Sequence, residues 1–301
     1  MSNRLMGSTL MSDDWKLKLL EILADRRLDD DGREAAFVLK EEHLPKKLFK
    51  YRVVDDHTEG LLTSGVLWLA NPETFNDPFD SASTFSVQEI EENIRKGPRF
   101  ANESLLVKLT RGDTLSLPEG VRVPLIEQLR TWGRRASVKL THSLTERLRQ
   151  DLGVTCFSET PTSVPMWAHY ANQHSGFCCE WDLAQWPQDV LRRRLFPVVY
   201  AAKPLRNPPL LTNPHYPDAP LLLALIKSPE WSYEKEWRYL EWGQRIGRGR
   251  PVQLVRPTRV FLGLKISSEH EDQIRRLCAK TGTEVRHIGK DVERSRLQVD
   301  D

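Results

Sequence analysis

Cysteine is scarce in this chain: Cys156, Cys178, Cys179 and Cys278 are the four among 301 residues. No two of them form a CxxC pair. Adjacent Cys178 and Cys179 are expected on opposite faces of a strand, which suits neither a zinc site nor an easy disulfide. The expectation is a reduced, cytoplasmic chain with no cysteine metal centre. Long apolar runs are also absent, and none approaches the roughly 20 residues that a membrane helix needs. The first residues, MSNRLMGSTLMSDDWK, hold no extended apolar segment of the secretory type, so no membrane partner is expected. Internal repeats and low-complexity tracts are missing.

A large net charge is lacking as well, since the chain totals +2. The charge is nevertheless uneven. From Arg95 to Arg149 there are 12 Lys plus Arg against 5 Asp plus Glu, a surplus of +7 that leaves −5 for the rest. Such a segment is either a solvated helical face or a docking surface for an acidic partner, a protein or a nucleic acid.

The hydrophobic pattern that is present alternates between helical and strand periods. Trp15, Leu19, Leu20 and Leu23 recur at helical spacing behind Asp13 or Asp14, and a second short helix is expected from Glu34 to Lys40. Strands are expected at Leu48–Arg52, Val66–Ala70, Val154–Ser158, Gly176–Trp181, Phe196–Tyr200, Trp231–Glu241, Arg259–Leu264 and Glu284–Ile288. Helices are expected at Thr58–Ser64 with Gly65 as C-cap, at Val164–Ala171, at Leu221–Ile226 and at Ser267–Lys280. Ser86 to Gln150 reads as helix broken at Gly97-Pro98, Leu117-Pro118 and Pro124. The class is α+β. The expected organisation is N-terminal helices over 1–42, one α+β domain over 43–290 with the basic helical insertion at about 86–150, and a tail over 291–301 too charged to pack.

One stretch, SYEKEWRY from Ser232 to Tyr239, places two carboxylates two residues apart among aromatics. On a strand, Glu234, Glu236 and Arg238 share one face. Trp231, Tyr233, Trp237 and Tyr239 share the other, which must be core. The acid face then looks at solvent, at a cleft or at a basic partner. Two further segments are rich in polar residues: Phe75-Asn76-Asp77-Pro78-Phe79, a turn pinned by phenylalanines, and Met166-Trp-Ala-His-Tyr-Ala171 followed by His174 and Gly176-Phe177. Within the latter, Trp167 and Tyr170 lie on one helix line and His169 lies off it.

LFKYR, LLTSGVLWLANPETFNDPFD, TCFSE, MWAHYANQHSGFCCEW, WSYEKEWR and VFLGLKIS occur in that order. As a set they resemble an uncharacterised bacterial family, DUF2971, over roughly Leu44 to Ile288, excepting the basic helical segment. The family's name assigns no activity, so the function is argued from the residues. In outline the chain is similar to ADP-ribosyltransferases, whose mixed, split sheet clasps NAD. The resemblance implies that Tyr51, Arg52, Asn76, Asp77, Ser158, Tyr170 and Arg238 contact NAD, with Arg52 on the diphosphate. It further implies that Glu236, Glu234 and His169 are catalytic, that NAD is the co-substrate, and that no metal is required. A carboxylate near the ribose stabilises the oxocarbenium-like centre formed when nicotinamide leaves, and a second carboxylate on the same face takes a proton from the attacking group. The acceptor is an unknown macromolecule. The chain departs from that outline in lacking a clear Ser-Thr-Ser motif and in carrying Tyr-Arg on the first strand. Two alternatives stay open: a Mg²⁺-dependent nuclease using Asp77, Glu234 and Glu236, and a non-enzymatic binding module. Replacing Glu236 by Gln is expected to act as a surface-cleft change, worth about 0.5 kcal/mol or less in stability.

Overall fold

The computed structural model describes residues 14–24, 29–77, 79–81, 83–84, 150, 152–202, 205–206, 219–243 and 246–299. The basic segment from Arg95 to Arg149, expected to be helical and either a solvated face or a docking surface, lies outside the described residues.

Two helices come first, α1 (Asp14–Leu23) and α2 (Asp30–Glu41). Asp29 caps α2 by accepting from the Gly32 amide, so the polar run expected to separate the helices begins the second one. Then follow β1 (Lys47–Arg52), α3 (Thr58–Ser64), β2 (Val66–Ala70), β3 (Ser83–Thr84), β4 (Leu152–Ser158), α4 (Val164–Tyr170) and β5 (Phe177–Asp182). The second half runs α5 (Gln188–Arg193), β6 (Leu195–Pro197), β7 (Val199–Tyr200), β8 (Leu205–Arg206), α6 (Ala219–Ala224), β9 (Ile226–Lys227) and β10 (Glu236–Trp242). It ends with β11 (Gly249–Gln253), β12 (Arg259–Leu262), α7 (Ser268–Ala279), β13 (Glu284–His287), β14 (Gly289–Asp291) and β15 (Arg296–Gln298).

Nine strands form one mixed, mostly antiparallel sheet, so the fold is α+β. Its parallel pair, β12 with β13, is joined by the α7 crossover. Strand β4 is the pivot. One of its edges pairs with β10 along its whole length, from Leu152 opposite Trp242 to Ser158 opposite Glu236. The other edge is shared: Ser158 faces Phe49 of β1, while Val154 faces Ala70 of β2. Strands β1 and β2 therefore part company along β4, and the sheet opens between them.

Three apolar clusters hold this frame. Leu48, Leu67, Leu69, Phe157, Trp181, Trp237, Ile274 and Leu277 pack one face beneath α3 and α7. On the other face, Leu152, Val154, Leu240 and Leu221–Leu225 gather with α1 and α2, while Phe49, Tyr51, Cys178 and Phe261 gather with α4. Adjacent Cys178 and Cys179 do enter opposite clusters, as strand alternation requires. Among the described residues no helix is long and apolar enough to cross a membrane.

Two readings of the sequence are corrected. Residues 229–234 form a 3₁₀ helix, not the start of a strand, and β10 begins only at Glu236. Part of the tail packs: β14 and β15 pair antiparallel, and alternation points Leu297 inward to 7% exposure between Arg296 and Gln298. Strand β11 was not expected from the sequence; Pro251 is tolerated there because β11 is an edge strand.

Gly65 closes α3 at φ +71°, and a Cβ there would stand 2.4 Å from the Leu254 carbonyl. Gly65→Ala should destabilise the fold by more than about 1 kcal/mol, since it adds left-handed strain to a backbone clash. Urea unfolding of wild type and variant checks this.

Candidate functional site

The opening between β1 and β2 is a cleft of about 230 Å³, and the residues around it are unlike the core. Lys227, Glu234, Glu236 and Arg238 come from one twelve-residue stretch. Lys227 ends β9, Pro229 starts the 3₁₀ helix at a position where its missing N–H costs nothing, and the helix carries the chain back to Glu234. Lys235 then adopts φ +44°, and β10 departs with Glu236 and Arg238 on one face. The helix and the left-handed turn, rather than strand alternation, set the Glu234 carboxylate beside that of Glu236.

The charges interlock. Lys227 Nζ donates to Glu234 Oε2 at 2.6 Å and to Glu236 Oε2 at 3.1 Å. Arg238 grips Glu236 through Nε at 2.7 Å and Asp80 through both terminal nitrogens at 2.8 and 2.6 Å. A further Arg238 N–H reaches the Ala224 carbonyl at 2.7 Å. The Tyr170 hydroxyl donates to Glu234 Oε1 at 2.7 Å, and Ser158 Oγ donates to the Glu234 carbonyl at 2.6 Å. The Glu236 amide donates to the Tyr200 hydroxyl oxygen at 2.9 Å. Asp80, Glu234, Glu236, Lys227 and Arg238 are all buried, Arg238 completely.

The two glutamates are driven apart in acidity. Burial opposes ionisation of Glu236, but Arg238 and then Lys227 more than offset it, and its carboxyl is held well below the usual range. Burial and then the neighbouring Glu236 charge push Glu234 above its ordinary value. One carboxylate is thus a fixed anion, and the other is poised to hold a proton. Such divergence is the pattern of acid–base pairs in glycoside chemistry.

Of the residues singled out in the sequence, Tyr51, Arg52, Asn76, Ser158, Tyr170, Glu234, Glu236 and Arg238 line the cleft. Arg52 also pairs with Asp55 at 2.6 Å. His169 does not line it. Its ring is exposed on α4, with Nδ1 3.2 Å from the Tyr233 hydroxyl, because one helical step from Tyr170 turns it outward. Asp77 also lies elsewhere: it is buried, with Oδ1 accepting from the Phe79 amide. Asp77 therefore does not join the two glutamates in lining the cleft, and both glutamates are engaged by Lys227, Arg238 and Tyr170. Trp237 and Tyr239 are core as expected, whereas Trp231 and Tyr233 are only half buried. Sequence reasoning missed Lys50, Asp80 and Lys227. Each is a charge set against an apolar stretch, in LFKYR, NDPFD and LLLALIK, and that mismatch was the available signal.

Glu236 is 3% exposed and doubly paired, so the expectation that Gln acts there as a mild surface change is corrected. Removing one partner of a buried pair typically costs about 3–5 kcal/mol. Arg238→Met, which strands Glu236 and Asp80, should lose stability on that scale in guanidinium unfolding. The lowered Glu236 pKa has a definite sign. It contributes stability above the unfolded value of 4.5, and this is lost as pH falls below it. Glu234, being raised, acts in the opposite direction. Glu236→Gln should therefore flatten the acid limb of stability below about pH 4.5, whereas the effect of Glu234→Gln falls above that pH, where it removes the gain in stability that protonation of Glu234 brings as pH drops toward 4.5. Thermal melts across pH 2–6 measure both.

No curated protein and no solved structure matches the chain. The matched span holds the MWAHYA and YEKEWR stretches, and so Tyr170, Lys227, Glu234, Glu236 and Arg238; LFKYR and FNDPF fall outside it. Through residues 166–239, the stretch that supplies most of the charged cluster, the chain is similar to a protein family of unknown function, DUF2971.

Proposed function

We propose that the chain is an NAD-consuming transferase that cleaves the nicotinamide–ribose bond and passes ADP-ribose to an acceptor. The observation that carries this reading is the glutamate pair sharing Lys227 at the opening of a split sheet. Glu236, fixed as an anion, faces the positive charge that develops at the ribose anomeric carbon as nicotinamide leaves with the bonding electrons. The acceptor then bonds to that carbon, and Glu234 takes its proton. Arg52 presents a planar donor fork to the diphosphate. Trp68 and Arg52 line both the cleft and a second hollow of about 230 Å³, which supports a ligand with two linked parts. The acceptor class is left to experiment.

Purified wild type incubated with NAD should release nicotinamide. Glu236→Gln should lower the rate by about 10²–10³-fold, the usual effect of losing one electrostatic stabiliser of a transition state. Glu234→Gln should impair transfer to the acceptor more than hydrolysis. Circular dichroism establishes that each variant is folded. Wild type that neither binds nor consumes NAD overturns the proposal.

A further inference from the structure

Lys50 sits in the middle of β1 and lines the cleft, yet the acid–base scheme gives it no task. Its Nζ donates to the Cys156 carbonyl at 2.8 Å and lies 5.5 Å from the centroid of the Phe157 ring. Neither neighbour is an anion. Among the described residues no carboxylate comes within ion-pair distance of it. An ammonium has three donors, and one is used here. This is a half-buried cation in a cleft, with donors to spare.

Strand register explains how it reaches the cleft. Phe49 stands opposite Ser158, which stands opposite Glu236, so these three share a face of the sheet. Lys50 and Arg52 leave β1 from the other face. They can enter the cleft because β1 and β2 do not pair there, and the gap admits side chains from both faces. Arg52, two residues along, shares the side of Lys50 and is paired with Asp55. A half-buried cation with no counter-charge at ion-pair distance is stabilised when an anion joins it.

We propose that Lys50, together with Arg52, forms a phosphate-binding subsite that takes the diphosphate of a nucleotide. The identity of the nucleotide rests on the transferase reading; the need for an anion comes from the surroundings of Lys50. Lys supplies a point charge to one phosphate oxygen, and Arg52 supplies its fork to another.

The test uses a property that a purely structural lysine would not show. Burial pulls the Lys50 pKa down to about 8. The groups facing it are Arg52 on β1, Cys156 on β4, Cys179 on β5 and Glu236 on β10. Burial pushes both thiols far up, Glu236 is held ionised, and Arg52 is a permanent cation, so Lys50 is the group of this set that titrates near pH 8. Anion binding must therefore draw a proton onto it.

Calorimetry of the full chain with ADP and with inorganic pyrophosphate, in buffers of different ionisation enthalpy, reads this directly. At pH 8 wild type should take up roughly half a proton per ADP; at pH 6 Lys50 is already charged and takes up none, and the terminal phosphate, whose second pKa is about 6, releases part of a proton instead. Lys50→Arg should keep ADP binding and abolish the pH 8 uptake. Lys50→Met should weaken ADP and pyrophosphate by about 10–100-fold, the range for a charge-assisted hydrogen bond, and leave adenosine unaffected. The subsite is overturned if wild type binds neither ADP nor pyrophosphate, if Lys50→Met binds them as wild type does, or if Lys50→Arg retains the uptake. Should Lys50→Met not fold, the Lys50→Arg comparison still decides. Lys50-dependent ADP binding with no nicotinamide release would leave the subsite standing and the transferase reading refuted.

Discussion

The Arg238 guanidinium is the tie on which the site depends. It has five N–H donors, and all five are used: two on Asp80, two on Glu236 and one on the Ala224 carbonyl. These contacts bind the turn after Asn76, the end of α6 and the first residues of β10 to one point. Its planar fork leaves little freedom for any of the three. Taking such a group out of water costs several kcal/mol, and a well-packed apolar substitute is often no less stable. Stability alone gives little reason to retain this cluster at the mouth of a cleft, whereas a fixed, ionised Glu236 gives a chemical one.

The sheet supplies the second constraint. Had β1 or β2 continued along this edge of β4, the edge would be covered and no cleft would open there. Their divergence leaves the Cys156 carbonyl to be met by Lys50 rather than by a strand amide. It also lets both faces of β1 contribute: Phe49 and Tyr51 from one, Lys50 and Arg52 from the other. Trp68, Phe75 and Tyr170 line the cleft together with its carboxylates and cations. Phe75 lies 5.6 Å from the Arg238 guanidinium, so the turn that holds Asp80 is pinned by ring and charge together.

Much of this was legible in the residues. Strand β2 was read at its observed bounds, and Gly65 was read as the cap it is, because period-two alternation and a left-handed glycine are local properties. Eight of the ten residues named for the site reach the cleft. The two that do not, His169 and Asp77, were chosen for their chemistry within a motif, and their direction was settled by one helical step and by a turn hydrogen bond. The 3₁₀ helix before β10 was hidden because residues 231–239 alternate as a strand does, while Pro229 and the left-handed Lys235 turn the backbone. Strand β15 was hidden by its charge, since only Leu297 faces inward.

By itself the sequence determined the mixture of helices and strands, the opposite facing of Cys178 and Cys179, and the presence of paired acids beside an arginine in an aromatic stretch. These follow from periods and spacings shorter than one element. The tertiary structure alone decided that Glu234 and Glu236 share Lys227, that Arg238 is buried against Asp80, and that Lys50 enters the cleft with no carboxylate among the described residues at ion-pair distance. Asp80 and Arg238 are 158 residues apart in the chain. No local pattern encodes such a meeting, because the acidity of a carboxylate depends on which charges the fold brings near it and how much water the fold removes.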